Sequence, residues 1–245
     1  MAAGLQAKEF KLVGGSPSLD FVNTVGGWGS NPLKKRGPHA GSPRGVQEGP
    51  RDYRDAVLNE KLDGYADLVA WSRQVGLLND KEARKLLRLA KQKPQAAAAV
   101  LQRAIKLRSA IYRLFKAVVE NWRPDAADEE RLSEELSIAR SHEKLIYAEN
   151  KFSWGWDARD DALDRMLWPL ALSAAGLLTS GDLSRIRQCA GDNCGWLFLD
   201  TSRNRSRQWC AMNDCGNLAK VRRFRQRQRE GSKVQTPDVE LVAQH

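Results

Sequence analysis

A mainly α protein with small β-hairpins is predicted: a helical N-terminal domain over residues 1–180, a treble-clef-like four-cysteine module over 181–230, and a disordered tail over 231–245. Three observations predict it. Apolar residues recur at helical spacing in successive segments between Leu62 and Leu178. All four cysteines of the 245-residue chain fall between Cys189 and Cys215. Between Arg185 and Arg229 lie eleven basic and three acidic residues, a net +8 out of +10 for the whole chain. Hydrophobic residues make up 42%, enough for a core in at least one domain of this length.

Taken in order, Phe10 to Val13 alternates weakly and stops at Gly14-Gly15, which favours a short strand and a turn. Leu19, Val22 and Val25 then fall three apart behind Ser16 and Ser18, either of which can cap, so this stretch reads as a helix. Residues 26–55 are rich in Gly and Pro, carry Lys34, Lys35 and Arg36, and show no apolar period; a flexible insertion is expected. Leu62, Tyr65, Leu68, Val69 and Val75 mark an amphipathic helix ending near Gly76. Asn79 and Glu82 match a capping box for a helix over 80–92, which Pro94 ends. Leu101, Ile105, Ile111, Leu114, Phe115 and Val119 give the next helix, about 95–122, the broad apolar face of a central helix.

After Pro124, a helix over 126–142 carries Glu and Arg at solvent-facing spacing. Residues 145–148 and 152–156 flank Glu149-Asn150-Lys151, which predicts a β-hairpin with Trp154 and Trp156 on one strand face. Leu163, Leu167, Leu170, Ala174 and Leu177 outline a last helix over 158–178 that kinks around Pro169. Gly181-Asp182 reads as a hinge into the cysteine module.

The two cysteine pairs are near copies. Cys189-Ala190-Gly191-Asp192-Asn193-Cys194-Gly195 and Cys210-Ala211-Met212-Asn213-Asp214-Cys215-Gly216 share Cys, Ala, an Asp/Asn pair, Cys and Gly in register. Such turns let two thiolates meet one metal at about 2.3 Å, and the trailing Gly supplies a positive φ. Cys189, Cys194, Cys210 and Cys215 therefore predict one structural Zn²⁺, because four thiolates fill a tetrahedron and leave no position for a reacting water. Two disulfides would suit a small secreted domain, and no signal sequence is evident. Four unrelated cysteines would seldom fall as matching pairs. A redox-labile site, in which oxidation ejects the metal, uses the same residues as an inert one. A strand over 195–200, a basic loop over 201–206 and a helix from Leu218 to about Arg229, capped by Asn217, complete a treble-clef-like zinc finger with four cysteine ligands. Leu218, Val221 and Phe224 are expected to be the buried stripe of that helix.

Zinc with four thiolates adds −2, which leaves about +6 on this short module. A polyanion is the expected partner, nucleic acid before a membrane surface and DNA before RNA. The candidate contacts are Arg203, Arg205 and Arg207 in the loop and Asn217, Lys220, Arg222, Arg223, Arg225, Arg227 and Arg229 on the helix. Stacking of bases on Trp196, Phe198 and Trp209 is the route to an RNA-binding alternative. A protein-interaction zinc module is the other alternative. The longest apolar stretch, Met166 to Leu178, is broken by Pro169 and falls short of the roughly 20 residues a span needs, so a cytoplasmic protein is expected. Asp20, Asn23, Arg108, Trp154 and Trp156 are candidates for a small-molecule effector pocket, set against plainer readings as local backbone partners, a solvated arginine and a core cover. No enzyme is expected: His39, His142 and His245 belong to no triad or metal motif, and no Gly-rich phosphate loop is present.

At Cys194-Gly195-Trp196-Leu197-Phe198-Leu199-Asp200 and at Cys215-Gly216-Asn217, followed by Lys220 and an arginine-rich helix, the chain resembles the CGNR zinc-finger family of bacterial proteins. Gly14-Gly15 through Leu19-Asp20-Phe21-Val22-Asn23-Thr24 resembles the start of the ABATE domain that usually precedes that finger. The resemblance implies a stress-associated transcriptional regulator with a C-terminal DNA-binding finger. One departure stands out, since the fourth letter of the Cys-Gly-Asn-Arg signature is here Leu218. If that arginine touches nucleic acid in relatives, Arg222 or Arg223 must replace it here.

Overall fold

The computed structural model describes residues 8–29, 47–48, 57–156 and 161–233. Helix α1 (Pro17–Val22) starts behind Ser16, whose hydroxyl accepts the Leu19 N–H, with Pro17 at a position where its missing N–H costs nothing. Strand β1 (Val25–Trp28) follows; β2 (Gln47–Glu48) and β3 (Val57–Glu60) come next, and β1 pairs antiparallel with β3. Thus 26–28 and 47–48, expected in the insertion, are strand, with Trp28 buried; 30–46 and 49–55 of that expectation lie outside the described residues. Phe10 to Val13 is not a strand. The backbone of Phe10 bonds instead to the Gln74 side chain, at 2.9 Å through its N–H and 2.6 Å through its carbonyl.

Helices α2 (Tyr65–Gln74) and α3 (Asp80–Gln92) fall where the apolar period put them. The α3 capping box is formed: Glu82 N–H reaches Asn79 Oδ1 at 3.0 Å, and Asn79 N–H reaches Glu82 Oε2 at 2.9 Å. Helix α4 (Pro94–Glu120) is the axis of the molecule and touches α1, α2, α3, α5 and α6. It is buried on several sides, including Leu107, Ile111, Tyr112 and Phe115. Strand β4 (Trp122–Arg123) pairs in parallel with β2.

Helix α5 (Ala126–His142) is less solvent-facing than its charges suggest. Asp128 and Glu135 turn inward, where Arg113 and Arg103 of α4 meet them as two-pronged ion pairs of 2.5–2.8 Å. Strands β5 (Glu143–Ala148) and β6 (Lys151–Trp156) form the expected hairpin around Glu149 and Asn150, both with positive φ. Of the helix expected over 158–178, 158–160 lie outside the described residues and 161–166 are coil and turn; helix α6 is Leu167–Leu178, so Pro169 sits in its first turn, where a missing N–H breaks no helical bond. Among the described residues, no helix is long and apolar enough to cross a membrane.

The last part is a small β-hairpin, β7 (Ile186–Gln188) with β8 (Leu197–Leu199), then a π-turn at Met212–Gly216 that runs into α7 (Asn217–Lys233). The residues before β7, Gly181–Arg185, form a 3₁₀ turn. One hydrophobic core joins this part to the helices: Ile186, Cys189, Trp196, Leu197 and Phe198 are buried in the same cluster as Leu19, Val22, Ile111 and Phe115.

Candidate metal centre and nucleic-acid face

Strands β7 and β8 carry the first cysteine turn at their open end. Cys189 N–H donates to Trp196 O at 2.8 Å, and Cys194 N–H to Gly191 O at 3.2 Å, which closes the turn. Gly195 has φ +62°, and a Cβ there would come within 2.9 Å of Trp28 O. Gly27 is equally constrained, because a Cβ on it would strike Asn193 O. The β1 backbone and the cysteine turn pass this closely because Trp28 N–H donates to Cys194 O at 2.9 Å. The second turn differs from its near copy. Gly216 is not left-handed but part of the π-turn, and the helix starts directly from it.

All four Sγ atoms lie within 4.8 Å of one another; Cys194 to Cys210 is 3.6 Å and Cys210 to Cys215 is 3.7 Å. A tetrahedron with Zn–S bonds of about 2.3 Å has edges of about 3.8 Å, so the set fits one zinc ion. The Cys189 sulfur also accepts the N–H groups of Cys210 at 3.3 Å and Gly191 at 3.5 Å, as a thiolate requires. Without a cation, one negative charge in the cluster opposes the next. Hydrogen bonds from Cys194 and Cys210 hold the Cys189 thiol far below its usual range, while the bond to Cys189 pushes Cys210 up to about 12. A divalent ion is what lets all four deprotonate together.

Arg207 braces the loop that links the two cysteine turns. Its guanidinium donates to Trp209 O at 3.0 Å, to Val13 O at 3.3 Å and to Cys210 O, and lies 4.2 Å over the Phe198 ring. Buried Asp200 completes the brace by accepting Ser202 N–H at 2.9 Å, Ser202 O–H at 2.6 Å and Arg207 N–H at 3.0 Å. Arg207, expected among the nucleic-acid contacts, is thus corrected to an internal strut. Arg203 and Arg205 are exposed on the same loop.

On α7, Lys220, Arg222, Arg223, Arg225, Arg227 and Arg229 are all exposed, and Arg222 pairs with Asp192 of the first cysteine turn. Asn217 does not cap this helix. Its φ of −67° and ψ of −41° are already helical, and its side chain bonds Asn213 O at 3.4 Å. The stripe expected to be buried is not: Leu218, Val221 and Phe224 are 58%, 46% and 62% exposed, because the π-turn at Met212–Gly216 is the main element packed against α7.

Residues 15–181 match the ABATE family model, whose description reads "Putative stress-induced transcription regulator", and these residues are more than half of the chain. The chain belongs to the ABATE family. Residues 185–228 match the CGNR zinc finger model, so this ABATE protein is a zinc-binding regulator with one structural Zn²⁺ held by Cys189, Cys194, Cys210 and Cys215. No curated protein matches the chain.

In this ABATE protein the five residues considered for an effector pocket do not meet around one. Asp20 accepts Gly14 N–H at 2.7 Å, and burial pushes its carboxyl above the ordinary value. Asn23 clamps the zinc-finger strand: its Nδ2 donates to Leu197 O at 2.8 Å and its Oδ1 accepts Leu197 N–H at 3.1 Å. Arg108, read as solvated or pocket-lining, is fully buried. It pairs with Glu60 at 2.7 and 2.5 Å and bonds Thr24 at Oγ1, 3.0 Å, and O, 3.2 Å. Trp154 is 68% exposed, and Trp156 packs 6.2 Å from Trp168 at the base of the hairpin. A cavity of about 660 Å³ lies elsewhere, between α7, the zinc turn and the N-terminal segment, with Lys11, Lys61, Trp209, Leu218 and Arg223 in its lining.

Proposed function

We propose that this chain is a zinc-dependent DNA-binding protein that regulates transcription, contacting duplex through α7 and the Arg203–Arg205 loop. The observation that carries the reading is α7 itself. It is rooted in the zinc turn, exposes six cations between Lys220 and Arg229, and has no acidic residue from Asn217 to Arg229. Phosphate contact is the main role of those cations, since most protein–DNA hydrogen bonds go to the backbone. Exposed Leu218, Val221 and Phe224 add side chains able to pack on thymine methyl groups if the helix enters a major groove.

DNA is favoured over RNA because two of the three aromatics that could stack on splayed bases, Trp196 and Phe198, are buried. The N-terminal domain supports the finger directly through Asn23, so an effector or partner that shifts α1 would shift the metal site. We also propose no catalytic role: four thiolates leave zinc no open position, and His142 is stacked on Trp168 at 4.0 Å. Reduced thiolates suit a cytoplasmic setting.

Selection of bound fragments from random duplex DNA, with and without a zinc chelator, tests the reading. Binding should need zinc and weaken with salt at a slope of about −4 to −5 in log–log terms if about five phosphates are engaged. Salt-independent binding, or none by zinc-loaded protein, would overturn it. Preference for single-stranded RNA would install the RNA alternative.

A further inference from the structure

The outer half of the β5–β6 hairpin carries four of the ten large hydrophobic side chains exposed among the described residues. Leu145 lies opposite Trp154 and Tyr147 opposite Phe152, so all four share one face. Their exposures are 57%, 68%, 61% and 67%. Tyr147 and Phe152 already pack ring to ring at 4.9 Å, which pre-forms part of the patch. The same face continues to Trp156 and Trp168 at the base of the hairpin, so it is anchored to α6 at one end and bare at the other. A two-stranded hairpin with nothing over its apolar face is marginal in water.

We propose that this face is a homodimer interface, in which a second copy of the chain lays the same four side chains against it across a two-fold axis. Charge selects the occupant. The hairpin carries Glu143, Lys144, Glu149 and Lys151, which balance, whereas the chain as a whole is +10. Two copies would repel through α7 but can meet here without that penalty. A polyanion or an anionic membrane would need a surplus of cations around the aromatics, and the hairpin has none. Area agrees. Three aromatics and a leucine exposed to this extent offer about 500 Å² per copy, so facing copies remove about 1,000 Å², the lower bound for a specific interface. An isologous patch of this kind closes on itself and does not propagate. The proposal does not rest on DNA binding.

Sedimentation equilibrium of zinc-loaded full-length protein, from about 1 to about 100 µM, should show a monomer–dimer equilibrium. Phe152→Lys with Trp154→Lys should raise the dissociation constant about 100-fold or more while leaving zinc content and the helical circular-dichroism signal at 25 °C unchanged. Val221→Lys, which alters the apolar surface of α7, should leave it unchanged. A wild type that stays monomeric, a hairpin variant that still dimerises, or a dimer broken by Val221→Lys alone would each overturn the proposal. Should the double variant fail to fold, amide exchange in the wild type decides. Slower exchange over 143–156 at higher protein concentration supports the interface, and concentration-independent exchange refutes it.

Discussion

Arg108 and Arg225 are the same side chain in opposite settings. Arg108 has no exposed surface and is held by Glu60 and Thr24 beneath β1, while Arg225 stands in water on α7. The contrast extends to their surroundings. Along the seam between α1, β1 and the finger, polar groups join the two parts from inside: Asn23 with Leu197, Trp196 Nε1 with Val25 O at 3.1 Å, and Leu199 N–H with Gly14 O at 2.8 Å. On α7 even the apolar side chains point into solvent. A polar residue inside an apolar run therefore reports an internal joint, and the arginines on a helix without a buried stripe stand in solvent.

Zinc removal should break this contrast most severely. If the finger were an appendage, a chelator would unfold it alone. Because Cys189, Trp196, Leu197 and Phe198 belong to the core that also holds α1 and α4, chelation should lower the melting temperature of the whole helical circular-dichroism signal. Structural zinc supplies on the order of 10 kcal/mol of folding free energy, so the effect should exceed that of any single substitution. An unchanged helical melt after verified zinc loss would show the seam to be energetically minor.

Arg108→Met comes next, expected to destabilise by about 3–5 kcal/mol in urea unfolding because it strands Glu60. Burial alone would raise Glu60, but the Arg108 guanidinium overcomes this and holds its carboxyl below the ordinary 4.5. The stabilisation is therefore complete above that value and is lost as pH falls through the lower folded value. The advantage of wild type over Glu60→Gln should accordingly shrink below about pH 4.5. On α7 the signs separate: Arg225→Gln with Arg227→Gln should change stability by less than about 0.5 kcal/mol, yet reduce the salt slope of duplex binding by about 2. A large stability loss there, or an unaltered slope, would erase the distinction between the two regions.

The helices were legible because their apolar period is strong and their caps are local, as at Asn79 and Glu82. The zinc ligands were legible because spacing alone brings thiolates together. What could not be read were pairings between residues far apart in sequence, such as Arg108 with Glu60 or Asn23 with Leu197, which carry no local signal. Arg207 was misread for a related reason. It shares a basic loop with Arg203 and Arg205, and only the fold shows its guanidinium turned onto Phe198 and three carbonyls. The α7 stripe was misread because a 3, 6 spacing predicts burial only where another surface is present to cover it.

The smallest expected effect concerns Leu218, which replaces the arginine of the family signature. Its side chain is 58% exposed, at the edge of the cleft that Arg222 and Arg223 also line, so the position can hold a cation without disturbing the core. Leu218→Arg should leave stability within about 0.5 kcal/mol of wild type. If position 218 faces a bound duplex, the added charge should make the salt slope more negative by about 0.9, with affinity rising at low salt and the gain fading as salt increases. If Arg222 or Arg223 already occupies the same phosphate, slope and affinity will both stay put, and the missing signature arginine is compensated within one turn of α7. Fluorescence anisotropy titrations of wild type and variant at four salt concentrations separate the two outcomes.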